Sequence, residues 1–255
     1  MGLASCQQAV RAIVDKAMEQ VMDYDYEDSE KWGPVVTRDL QLGDFTRLHS
    51  HGSVRLEVTQ DTVCRLQVYG NEKSIEAYTI KVEDGTLNAE HKGNNDQITK
   101  NTPRITLLVS LPLLEYIHVH GAGNIDLKNP MRQNTPLRIE VSGAGDIDIE
   151  DLEVPSLQVA VSGAGDIDIE RAKCERDVTL SVSGAGDMDV NVECQNLDAT
   201  VSGAGDMELT VLCDVLNATV SGAGDMELKG QTRKLIKSAG RATTVDIDEL
   251  KVLEP

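Results

Sequence analysis

One phrase occurs six times with little change. It reads VHGAGNIDL from Val119, VSGAGDIDI from Val141 and Val161, VSGAGDMDV from Val182, and VSGAGDMEL from Val201 and Val220. The first glycine of each GAG is Gly121, Gly143, Gly163, Gly184, Gly203 and Gly222, so the copies lie 19 to 22 residues apart. A weaker seventh copy, KSAGRATTVDID, starts at Lys237. A fixed period near 20 means one structural unit per repeat, each covering the next, and therefore a solenoid.

Within each repeat the period is two. Leu197, Ala199 and Val201 alternate with Asp198, Thr200 and Ser202; after the GAG, Met207 and Leu209 alternate with Asp206 and Glu208. This is the pattern of strands with one buried face. The glycines are expected to make the turn, since glycine adopts positive φ and lets backbones approach. Each repeat is then one coil of short strands. Stacked at about 4.8 Å, the coils form a rod of roughly 30 Å. No stretch of the repeats has the 3.6-residue period of a helical solenoid.

The two halves differ in side-chain chemistry. All seven aromatic residues (one Phe, one Trp, five Tyr) and all five histidines precede Gly121. The repeats are left with a core of Val, Ile, Leu, Ala and Met, and with neither the commonest general base nor an aromatic stacking platform. The net charge of −19 disfavours nucleic acid and anionic lipid, and no apolar run is long enough to span a bilayer.

Strands are also expected before the repeats, at Phe45–Leu48, Val54–Thr59, Cys64–Tyr69, Tyr78–Val82, Leu87–His91 and Ile105–Leu111, with Asp84-Gly85 as a hairpin turn. FTRLHSHGSVRLEV from Phe45 aligns with LEYIHVHGAGNIDL from Leu114, which makes it a degenerate first coil. The strands between them elaborate the end of the solenoid as a cap. Further upstream, Val10, Ile13, Ala17 or Met18, and Val21 form a helical stripe over residues 5–22. An acidic run follows (Asp23, Asp25, Glu27, Asp28, Glu30), then Gly33-Pro34. The organisation is thus residues 1–34 as helix and acidic linker, and residues 35–255 as a single β-solenoid domain, with 35–120 the elaborated first coil and cap and 121–255 the GAGD repeats.

Three sets of residues carry candidate chemistry. Asp146, Asp166, Asp187, Asp206 and Asp225 follow the GAG, with Asn124 first; Asp148, Asp168, Asp189, Glu208 and Glu227 lie two residues on, with Asp126 first. These form two outward columns of like charge, with about 1 kcal/mol of repulsion between neighbours. The first column is expected to accept turn N–H groups and the second to be solvated, with calcium the alternative, since hard carboxylate oxygens suit it. His49 and His51 align with His118 and His120, so four outward imidazoles gather on one patch, a candidate site for zinc or another transition metal. Cys174, Cys194 and Cys213 recur once per coil at an inward position, as a ladder of buried thiols; Cys64 is expected to be buried as well. No coil stands out from the repeat as a catalytic pair would, so the chain reads as a non-enzyme without a resident cofactor.

VEDGTL at 82–87, PRITLLVSLPLLEYIHVHGAGNIDL at 103–127 and the later VSGAGDIDI copies resemble the head GIN domain family of autotransporter adhesins, over roughly residues 35 to 250. The resemblance implies an all-β, right-handed β-helix of about seven coils in a Bacteroidetes-type cell envelope, periplasmic or at the outer-membrane surface. The adhesin label of that family rests on analogy. Leu3-Ala4-Ser5-Cys6 resembles a lipobox, which makes Cys6 a candidate for lipidation, although the apolar stretch that precedes such a box is missing. The expected function is structural or adhesive binding of a glycan, an envelope protein or a second copy. The alternatives are a divalent-cation-binding surface protein and a self-assembling scaffold.

Overall fold

The computed structural model describes residues 29–93, 104–240 and 243–253. The stripe over residues 5–22, Cys6, and Asp23 to Asp28 lie outside the described residues. Glu30 belongs to a helical turn, α1 (Ser29–Trp32).

Strand makes up 63% of the fold and helix 3%, in a β-solenoid of about seven turns. The entry region holds β1 (Val35–Asp39), β2 (Arg47–Gly52), β3 (Val54–Gln60), β4 (Arg65–Asn71), α2 (Glu72–Glu76), β5 (Tyr78–Glu83), β6 (Thr86–His91) and β7 (Ile105–Leu111). The coils follow as β8 (Tyr116–Gly121), β9 (Ile125–Leu127), β10 (Met131–Arg132), β11 (Leu137–Val141), β12 (Ile147–Ile149), β13 (Leu152–Val154) and β14 (Leu157–Val161). They continue as β15 (Ile167–Cys174), β16 (Asp177–Val182), β17 (Met188–Glu193), β18 (Asn196–Val201), β19 (Met207–Val220), β20 (Met226–Ala239) and β21 (Val245–Val252).

Every pairing between coils is parallel. One face runs β2, β8, β11, β14, β16, β18 and the latter half of β19; the next runs β3, β9, β12, β15, β17, β19, β20 and β21. The expected alignment of the first coil holds residue for residue, with His49 opposite His118 and His51 opposite His120. The cap is built differently. β6 and β7 add to β2 and β3 in parallel, and then β5, β4 and β1 close the end with antiparallel pairs. Asp84 (φ 48°) and Gly85 (φ 72°) make the β5–β6 hairpin turn, as their sequence requires.

The core is a set of inward columns. Leu137, Leu157, Val178, Leu197 and Leu216 form one, each at most 2% exposed. Ile139, Val159, Leu180, Ala199 and Ala218 form another, which shrinks along the rod. Over the same coils Ile147 and Ile167 give way to Met188, Met207 and Met226. Long, adaptable methionines thus accompany the alanines and keep the volume filled.

The glycine expectation needs correction. Gly143, Gly163, Gly184, Gly203 and Gly222 do not adopt left-handed φ; of the first glycines, Gly121 alone does, at 135°. The others are glycine because a Cβ would sit about 1.8–2.1 Å from a backbone oxygen of the coil below. Close approach, not turn handedness, selects the residue.

Candidate functional site

The first aspartate column is a chain of caps. The N–H of Asp166 donates to Asp146 Oδ1 (3.1 Å), that of Asp187 to Asp166 (2.8 Å), that of Asp206 to Asp187 (2.8 Å) and that of Asp225 to Asp206 (2.8 Å). Asn124 starts the series at 3.5 Å and Thr244 ends it on Asp225 at 2.9 Å. At this position the turn offers the N–H no carbonyl, and the carboxylate of the preceding coil takes its place. Replacing Asp187 with alanine is therefore expected to cost about 1 kcal/mol, while Asp187→Asn, which keeps an acceptor and removes a like charge, is expected to be near neutral. Urea midpoints of the two variants check this.

The second column is longer than the repeats indicate. It runs in register through Glu57, Asp126, Asp148, Asp168, Asp189, Glu208, Glu227 and Asp246. It is not uniformly solvated as expected: Glu57 and Asp126 are buried. A cation sits at its first members and another near its far end. Arg55 lies 2.6 Å from Asp126 and 3.2 Å from Glu57, and Lys229 lies 2.5 Å from Glu208 and 2.9 Å from Glu227. Between them Asp148, Asp168 and Asp189 titrate above the ordinary carboxylate value, through loss of water and then through their like-charged neighbours.

The imidazoles stack. His49 lies on His118 and His51 on His120, each with centroids 4.9 Å apart, at interplanar angles of 8° and 28°. His118 Nε2 and His120 Nδ1 share the Ser142 hydroxyl at 3.0 and 2.9 Å. The expectation of four outward rings fails for His51, which is only 8% exposed beneath the β5–β6 side of the cap. Lone pairs of parallel stacked rings point in parallel and do not converge on one ion. Among the described residues no three His, Cys, Asp or Glu side chains are grouped to hold a metal. The His120 column continues as Ser142, Ser162 and Ser183, as expected, but the His118 column continues as Glu140 and Ala160.

A third feature was not legible in the repeat. A groove of roughly 480 Å³ opens beside β13, β15, β17 and β19, lined among others by Arg132, Asp151, Arg171, Lys173, Asn191 and Leu212. Asp151 anchors it, 2.9 Å from Arg132 and 2.7 Å from Arg171, and the two guanidinium groups hold its carboxyl below the usual range. Leu212 points outward and is 50% exposed.

The family described as "Putative auto-transporter adhesin, head GIN domain" matches residues 44–232 and 170–252. This chain belongs to the head GIN domain family. Among solved structures, a "putative adhesin" of Bacteroides fragilis is 24% identical with a TM-score of 0.74, over 84% of this chain and 96% of that one. One from Parabacteroides merdae is 18% identical with a TM-score of 0.68, over 84% and 96%. A "putative lipid binding protein" of Parabacteroides distasonis is 20% identical with a TM-score of 0.66, over 84% and 98%. At these identities the likeness shows a shared fold. No curated protein matches. No helix among the described residues is long and apolar enough to cross a membrane.

In this head GIN domain β15 breaks register with β17 between Ile169 and Ala172, beside the groove, where Arg171 is exposed. The signal in the sequence was the arrival of Arg and Lys at positions 171 and 173 of an otherwise acidic repeat. The cysteines follow the expected ladder. Cys174, Cys194 and Cys213 are buried, and burial pushes the Cys174 thiol up to about 12. Cys64 is only half-buried, with its Sγ 3.7 Å from the Phe45 carbonyl.

The histidine stack makes the domain acid-sensitive. His51 and His118 titrate below the ordinary 6.5, first through burial and then through the facing imidazoles of His120 and His49; Glu90 and Glu140 oppose the shift. The unfolded chain therefore takes up these protons more readily than the fold. Stability is full above pH 6.5 and declines as the pH falls below it, until the folded-state values are passed. At lower pH the raised carboxylates Asp126, Asp148, Asp168 and Asp189 act in the opposite sense, because the fold prefers them protonated. Below their range, protonation of the lowered carboxyls of Asp151 and Glu140 again costs stability. Melting temperatures across this range are expected to dip and then partly recover, and His51→Asn with His118→Asn is expected to remove the dip.

Proposed function

We propose that this chain is a non-enzymatic cell-envelope solenoid that adheres to a glycan. The observation that carries this reading is the groove between Arg132 and Leu212. Arg132, held by Asp151 and Glu153, and Arg171, held by Asp151, keep further N–H groups. Asn191, whose NH2 donates to the Glu170 carbonyl, presents its amide oxygen, Thr210 adds a hydroxyl, and Leu212 offers an apolar surface to a ring face. Sugars need both. The rest of the rod repeats the same polar columns and supplies length. Family membership supports the adhesive reading, and the scarcity of polar departures from the repeat supports the absence of catalysis.

The test is a glycan array of bacterial surface polysaccharides, followed by titration of any hit. Arg171→Ala with Asn191→Ala is expected to weaken binding about tenfold, which corresponds to about 1.4 kcal/mol. Serine substitutions in the Ser162 column are expected to leave it unchanged. A protein that retains every hit after the groove substitutions does not bind through the groove.

A second reading, a cation on the outer carboxylate column, is favoured by the adjacent like charges of Asp148, Asp168 and Asp189, whose titration is raised by loss of water and then by mutual repulsion, and by Glu57 Oε2, which is buried without a hydrogen-bond partner. Calcium is the chemically suited ion. A melting temperature that rises with Ca²⁺ and falls back with EDTA supports this reading, and an unchanged one removes it.

A further inference from the structure

The two ends of the rod are built differently. At the N-terminal end, antiparallel strands and α2 cover the parallel stack. At the other end no described residue covers it. β21 is hydrogen-bonded to β20 alone, and β20 is paired with β21 only over Met226–Thr232, so its stretch Lys234–Ala239 is a second open edge. The last coil therefore has a step, with β21 one layer above that stretch.

The side chains at the step are unlike those elsewhere. The inward column of Leu197 and Leu216 ends in the half-buried Leu235, and Ile236, Val252 and Leu253 are 48%, 37% and 40% exposed. The two open edges also carry opposite charge. Lys234 and Lys237 lie on the lower edge, and neither makes an ion pair among the described residues. Asp246, Asp248 and Glu249 lie on β21, offset in part by Lys251. Lys237 occupies the position that Ala199 and Ala218 fill in earlier coils, and it is exposed. An inward-register lysine blunts an open edge against indiscriminate pairing with apolar strands, while Lys234, at an outward position, can meet the outward carboxylates of a β21.

We propose that the C-terminal end binds the C-terminal end of a second copy around a two-fold axis. The acidic β21 of each protomer fills the step above the basic Lys234–Ala239 stretch of the other, pairing antiparallel. A two-fold arrangement uses both complementary edges twice and then closes. Head-to-tail growth would instead set this parallel end against an antiparallel cap whose open edges among the described residues, β1 and β5, carry Arg38 beside Asp39 and Lys81 beside Glu83, so that neither presents one sign of charge.

The test is mass by light scattering over a concentration series of the full chain, with two charge-reversed variants at exposed positions. The wild type is expected to dimerise. Lys234→Glu with Lys237→Glu, and separately Asp248→Lys with Glu249→Lys, are each expected to be monomeric with unchanged circular dichroism. A mixture of the two variants is expected to regain dimer mass, because each supplies the charge the other has lost. A monomeric wild type, mass that grows without limit, dimers that survive reversal, or a mixture that stays monomeric would overturn the proposal.

Discussion

Alanine at Gly163 is expected to prevent the native stacking of the rod. The new Cβ would lie 1.8 Å from the Gly143 oxygen and 2.8 Å from its carbonyl carbon. Both are backbone atoms, so no rotamer change relieves the clash. The coil must lift away, which breaks the bond from the Ala164 N–H to the Gly143 oxygen (2.8 Å) and loosens its neighbours. The expected loss is about 3 kcal/mol or more. Gly43→Ala is the control, since a Cβ there meets nothing within 4 Å, and it is expected to stay within about 0.5 kcal/mol of wild type. Denaturant midpoints separate the two. A Gly163→Ala protein as stable as the control would show that the coils stack more loosely than described.

Leu197→Ala is expected to have the next largest effect. Leu197 is fully buried between Val178 and Leu216, in register on either side. Its coil already contains Ala199 at the neighbouring inward position, so little side-chain volume nearby can move into the cavity. A loss of about 3–4 kcal/mol follows from the cost of such cavities. In a stacked array each unit is held by its neighbours alone, so a weak coil in the middle divides the cooperative unit. Urea unfolding is expected to broaden, with a lower apparent m-value, as well as to shift. A uniform shift with an unchanged m-value would mean that cooperativity passes through the cavity intact.

Much of this architecture was legible because the repeat reports both periods at once. The spacing from Gly121 to Gly222 gave the coil, and the alternation around Leu197 and Met207 gave its inward face. Even the degenerate first coil could be aligned, through His49 and His118. The misreadings share one physical origin. Sequence patterns describe a residue along its own strand, while its role here is set by the coil above or below. Gly163 looked like a turn residue and is a spacer. His51 has outward parity and is covered by the cap. The outer carboxylate column extends to Glu57 and Asp246, which lie outside any GAGD phrase. The Arg132–Arg171 groove lies beside a register slip that no periodicity contains.

The aspartate caps all lean in one direction. Each carboxylate accepts a backbone N–H from the coil that follows it, and none accepts a backbone N–H from the coil before. Coils removed from the C-terminal side would thus leave every remaining aspartate N–H with its acceptor, whereas removing the coil beneath Asp166 would orphan that residue's N–H. The rod is vectorial. A chain that emerges N-terminus first meets, at every step, a finished surface already holding the acceptor that the next turn lacks, so each completed coil acts as the template for its successor.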